Sequence, residues 1–123
     1  MLYGANQEPN KEGTVMFSDF KLDDTWLVAM DGGGTHPFTF NEAISFIVNC
    51  KDQKEIDYYW KKLSAVPKAE QCGWLKDKYG VSWQIIPKNM EELMSKNPKK
   101  TTPAMLMMKK ISIKDLKKAG EEK

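Results

Sequence analysis

The residue types that could carry catalysis are few and isolated. His36 is the only histidine, set in Thr35-His36-Pro37 with nothing nearby in sequence to orient it. A general base needs a partner that fixes its tautomer, so His36 reads as a solvent-facing loop residue. The two cysteines, Cys50 and Cys72, match neither a redox pair nor a zinc-ligand spacing. Neither has an evident base to turn it into a nucleophilic thiolate. Their spacing leaves a disulfide open, while a reducing compartment favours two small, mostly buried thiols. Asp31-Gly32-Gly33-Gly34 lacks the GxxxxGK[ST] frame of a phosphate cradle and runs into Thr-His-Pro rather than a helix. It reads as a plain loop.

Charge excludes further classes. Net charge is +2, but residues 96–123 hold nine Lys against three acids, and the remainder holds ten Lys against fourteen acids. All 19 basic residues are Lys. Without Arg there is no bidentate grip on phosphate, so the basic tail reads as a solvated face rather than a nucleic-acid site. No apolar run approaches the roughly 20 residues of a membrane span. The opening residues also lack the basic-then-apolar pattern of a signal peptide, so a cytoplasmic protein is expected.

These residues must be positioned by an α+β set of elements. At 123 residues, with 41% apolar and 29% charged, one globular domain is expected. Residues 1–13 are polar and read as an unstructured lead-in. Residues 14–22 and 25–30 alternate or run apolar as two strands around an Asp23-Asp24 turn, which makes a hairpin. Residues 42–49 (EAISFIVN) are apolar and β-branched enough for a central strand. A helix follows, capped by Asp52 with Glu55 three residues on, and Ile56, Tyr59, Trp60 and Leu63 share one face. Strands at 71–77 and 81–86 flank a tight turn at Lys78-Tyr79-Gly80. Short helices then start at Asn89 with Glu92, at Thr102 with Pro103, and at Ser112 with Asp115.

The segment QCGWLKDKYGVSWQIIP (71–87) resembles the signature hairpin of PhnB-like proteins. These form a branch of the glyoxalase, or vicinal-oxygen-chelate, superfamily and often carry a 3-demethylubiquinone 3-methyltransferase label. FNEAISF (40–46), YYWKKL (58–63) and AMLMMKKI (104–111) are similar to the same branch. The resemblance implies two βαβββ modules that curl open sheets into a half-barrel around a ligand cavity. Residues 14–30 then represent a first module lacking its opening strand and helix, 42–87 a second module, and 88–123 a helical tail. A sheet short of one strand exposes unpaired backbone groups, so a homodimer, formed directly or by strand exchange, is expected.

Metal-using relatives hold a divalent ion with His and Glu side chains. Here Ala43 and Gln84 stand where the resemblance places a His and a Glu, and a neutral amide is a poor ligand for such an ion. No conventional metal site and no cofactor are expected. The resemblance makes Glu42, Ser45, Cys72, Trp74 and Gln84 the candidates for the cavity lining. Cys72 and Trp74 are expected on one face of their strand, Glu42 and Ser45 on opposite faces, and Trp83 away from Gln84. Trp74 and Trp83 also serve as core aromatics. The resulting expectation is a small-molecule-binding dimer of unknown substrate, whose standing as an enzyme is left open. The alternatives are a metal-independent or methyltransferase-type enzyme and a non-catalytic dimeric scaffold. A methyltransferase using S-adenosylmethionine would want a Gly-rich strand-to-helix turn in a doubly wound sheet, which this sequence lacks.

Overall fold

The computed structural model describes residues 1–123 and divides into two compact units, Met1–Phe38 and Thr39–Lys123. It is a mixed helix-and-sheet protein with open sheets. No helix is long and apolar enough to cross a membrane.

In the first unit, β1 (Phe17–Leu22) and β2 (Thr25–Met30) form an antiparallel ribbon around the Asp23-Asp24 turn. Asp23 takes a left-handed φ of 54°, a conformation that short polar side chains tolerate. β1 starts three residues later than its composition suggests, because residues 14–16 pair with the start of the chain. Tyr3 N–H donates to Thr14 O, and Met16 N–H donates to Met1 O. The lead-in is therefore structured: Leu2 bridges Val15, and the buried Tyr3 donates its hydroxyl to Asp31 O. Both faces of the ribbon carry exposed large apolar side chains, with Trp26, Val28 and Met30 on one and Phe20 and Leu22 on the other.

The second unit opens with β3 (Ser45–Cys50), then α1 (Gln53–Leu63) and a short 3-10 turn at Pro67–Ala69. β4 (Trp74–Lys76) and β5 (Ser82–Pro87) complete a sheet of order β3-β5-β4. β3 runs parallel to β5, as a helical crossover requires, and β4 pairs antiparallel to β5 as the 71–87 segment demands. The apolar run of β3 suggests a central strand, yet β5 is central and β3 an edge. Apolar composition reports how a strand's faces pack, and it does not count the strand's neighbours. β3 buries Cys50 and half-buries Val48 beneath α1 while Phe46 and Ile47 stay exposed. Residues 42–44 lie before the strand, where Asn41 Oδ1 accepts from Ala43 N–H at 2.9 Å in an Asx turn.

Strand β4 is also shorter than its apolar pattern. Cys72 (φ 50°) and Gly73 (φ 88°) are both left-handed and form a two-residue turn, with paired backbone bonds between Gln71 and Trp74. Glycine is needed at 73, since an added Cβ would meet Ile111 Cγ1 at 3.0 Å and Ile85 O at 3.2 Å. The second turn is closed by Asp77, whose Oδ1 accepts from Tyr79 N–H (2.8 Å) and Val81 N–H (3.0 Å).

α1 begins as expected, with the Asp52 side chain accepting from Glu55 N–H at 2.9 Å. Its inner face packs Ile56, Tyr59, Trp60 and Leu63 onto Cys50, Leu75 and Ile85. The tail forms α2 (Met90–Ser95), α3 (Pro98–Leu106) and α4 (Ile113–Gly120) around a second cluster of Leu93, Ile111 and Leu116. Ser112 caps α4 by accepting from Asp115 N–H, as its sequence pattern predicts. Asn89 makes no such side-chain bond, because its backbone (φ −101°, ψ 29°) is not extended as a capping residue requires. α3 starts at Pro98 rather than at Pro103. Pro98 already supplies a first-turn proline, and the helix carries Pro103 in its interior at the cost of one backbone donor and of crowding against the carbonyl four residues back. The buried Thr101 hydroxyl meets Met94 O at 2.8 Å and anchors this helix to α2.

Candidate functional site

The β3-β5-β4 sheet has two unlike faces, fixed by the period-2 alternation of its strands. One carries Val48, Ile85, Leu75 and Trp83 and lies under α1 as the core. Trp83 is held there by its indole N–H, which donates to Asp77 Oδ2 at 2.9 Å. The register puts Ser45, Ile47, Gln84 and Trp74 on the other face. Trp74 is directly across from Gln84, and Ile47 flanks Gln84 on its other side. Gln84 Nε2 donates to Ser45 Oγ at 3.0 Å. Three of the five expected lining residues thus share a single surface.

Glu42 reaches the group by a different route. It is not on β3, so no face assignment applies to it, but its carboxylate takes a hydrogen bond from Lys76 Nζ. Lys76 follows Trp74 by two residues on β4 and shares its face. That bond is the main reason the Glu42 carboxyl titrates below the usual carboxylate range. Lys76 was readable from the alternation of the strand, but no motif singles it out.

Cys72 stands apart. The left-handed Cys72-Gly73 turn removes it from β4, so it does not share a strand face with Trp74 as the sequence suggested. Its backbone serves the tail instead: Cys72 N–H donates to Met108 O and Gly73 N–H donates to Lys109 O, both at 2.8 Å. Cys50 is fully buried, and desolvation pushes its thiol up to about 11, away from nucleophilic use. His36 lies in the exposed loop and stacks on Phe38, with ring centroids 5.1 Å apart. Gly33 and Gly34 are left-handed, and Gly33 N–H faces Asp31 Oδ1 within the same loop at 3.4 Å.

The chemistry available on this sheet face is binding chemistry: an indole surface, one amide, one hydroxyl and an ammonium–carboxylate pair. No group of three or more His, Cys, Asp or Glu is gathered to hold a metal ion. Ala43, in the expected position of a ligating His, sits in the Asn41 turn before β3. A separate concavity of about 750 Å³ lies where α1 meets the tail, and none of the five candidates lines it. Its walls include Lys51, Lys114 and Lys117, with Lys110 paired to Asp57 at 2.9 Å. There Gln53 ties helix to tail, donating to Ile111 O (2.9 Å) and accepting from Ile113 N–H (2.8 Å).

Comparison with known proteins places this arrangement in a family. No curated protein matches the chain. A solved structure of the PhnB protein from Bacillus cereus, which carries the 3-demethylubiquinone-9 3-methyltransferase label, is 36% identical with a TM-score of 0.56. The match covers 70% of this chain and 74% of that one. The family model described as 3-demethylubiquinone-9 3-methyltransferase matches residues 2–86, which contain the ribbon, the β3-β5-β4 sheet up to Ile86 and every residue of its polar face. With that span and that identity, the chain belongs to the 3-demethylubiquinone-9 3-methyltransferase, or PhnB-like, family.

Proposed function

We propose that this protein binds a small organic molecule on the Ser45–Trp74–Gln84 face, acts as a homodimer, and does so without a conventional metal site. The observation that carries this reading is the unlike pair of sheet faces. One is closed by α1; the other presents a half-buried indole beside an amide, a hydroxyl and an ion pair. A few placed polar groups on an apolar surface are what fixes the orientation of a small ligand. The resemblance to vicinal-oxygen-chelate proteins supports the same face, since there the cavity lies against the sheet. The metal-free part rests on Gln84, whose neutral amide is a weak ligand for a hard cation.

Methyl transfer is the activity in the family's description, and we favour ligand binding over it. The Gly-rich loop leads from β2 toward β3 rather than into a helix, so it does not form the nucleotide-type turn such a cofactor uses. The dimer is supported by the exposed apolar side chains of the β1–β2 ribbon and by β3 as a sheet edge.

A fragment screen by two-dimensional NMR tests the binding reading. The expected result is a saturable hit that shifts the Trp74 indole and the Gln84 side-chain amide. A screen whose hits leave both signals unmoved contradicts it. Thermal melts with added Zn, Mn or Ni test the metal-free part, because a site-specific ion stabilises the native state by mass action. No upward shift is expected; a shift abolished by Gln84→Ala contradicts it.

A further inference from the structure

Lys76 is unusual among the lysines of this chain in its setting. Its side chain is only 22% exposed, and its one ion-pair partner is the Glu42 carboxylate. A mostly covered ammonium needs a compensating charge, yet Glu42 is 65% exposed and comes from an irregular segment with no strand to hold it. Neighbouring acids are committed elsewhere: Asp77 closes the β4–β5 turn and holds Trp83, and Glu70 accepts from Trp60 and Ser64. Lys76 therefore presents a covered positive charge whose present counter-ion is an exposed carboxylate outside any strand.

Its neighbours define what would exchange with it. Trp74 lies two residues back on the same face, about 6.8 Å away along the strand. Gln84 stands across from Trp74 with its amide turned to Ser45, and Ile47 adds an exposed apolar wall. A flat ring placed against the indole would carry a carboxylate one or two bonds out to the Lys76 ammonium. From this juxtaposition we infer that Lys76 is the anion-recognition group of the sheet face and Glu42 its resident counter-ion. The ligand class is then a single-ring organic acid whose carboxylate displaces Glu42. This inference rests on the proposed ligand face and adds the charge and shape of what it takes.

The test uses the full chain and two probes of matched shape, phenylacetate and its neutral amide, titrated while the tryptophan indole N–H signals are followed. Phenylacetate is expected to bind up to about fivefold tighter than the amide, the scale of one partly exposed charge pair. Glu42→Gln should tighten phenylacetate and leave the amide unchanged, since it removes the competitor. Lys76→Met should erase the preference while retaining amide binding, which also shows that the variant is folded. Equal affinity of acid and amide for the parent protein overturns the inference and leaves the ligand face standing. Weaker phenylacetate binding by Glu42→Gln, or no change, overturns the counter-ion role. If neither probe shifts Trp74, the ligand face fails and the inference fails with it.

Discussion

Asp77 uses both carboxylate oxygens at the turn between β4 and β5. Oδ1 accepts two backbone N–H groups, and Oδ2 accepts the Trp83 indole that faces the core. Bonds to a charged acceptor are stronger than neutral ones, so Asp77→Ala should lower stability by about 2–4 kcal/mol in urea unfolding. A loss below about 0.5 kcal/mol would contradict that role. Cys50 gives a pH signature of opposite sign to a paired carboxylate. Its native thiol is held neutral by burial, with a pKa pushed up to about 11. The contribution is whole below the ordinary thiol value of 9.0 and is lost as pH climbs through about 11. The stability gap between the parent and Cys50→Ala should therefore narrow between pH 9.0 and about 11, followed by chemical denaturation at each pH. Ser45, Trp74 and Gln84 are candidates through the family resemblance; strand alternation fixes the face of each within its own strand, and the pairing register brings the three together. Alternation does not place Cys72, because its left-handed backbone depends on the Gly73 next to it and on the tail that bonds to both.

Helix ends show why some elements were legible and others were not. Asp52 and Ser112 carry local information sufficient for a cap: a short acceptor in an extended backbone, with the donating N–H three residues on. Asn89 carries the same letters but not the same backbone, since the chain enters α2 directly from the end of β5. Asp52→Ala should thus cost about 1 kcal/mol by loss of its capping bond, whereas Asn89→Ala should stay within about 0.5 kcal/mol. Thermal or urea unfolding of the two variants side by side checks the contrast, and equal losses would contradict it. β3 shows the limit at the level of a strand. Its apolar run reflects Val48 and Cys50 beneath α1, and the same run leaves Ile44, Phe46 and Ile47 facing solvent. Nothing local distinguishes an edge with exposed apolar side chains from a central strand. The distinction lies in how the α1 crossover and the β4–β5 hairpin arrange the sheet.

At the scale of the molecule, the sequence pattern carries the element order and the antiparallel hairpin at 71–87, while the insertion of β5 between β3 and β4 is set by long-range pairing. The ribbon of the first unit exposes Trp26 at 66%, Val28 at 70% and Met30 at 67%, and two strands alone are marginal in water. Association of two copies would cover that surface. Light scattering coupled to size exclusion should show a dimer at micromolar concentration, and Val28→Lys should shift it toward monomer; a well-folded monomeric parent would contradict this. That the open face of the β3-β5-β4 sheet receives the ligand is tested most directly by intermolecular NOEs from a saturating fragment to the protein. Cross-peaks to the Trp74 indole and the Ile47 methyl groups are predicted. Cross-peaks confined to the lysine-walled concavity between α1 and the tail would contradict it.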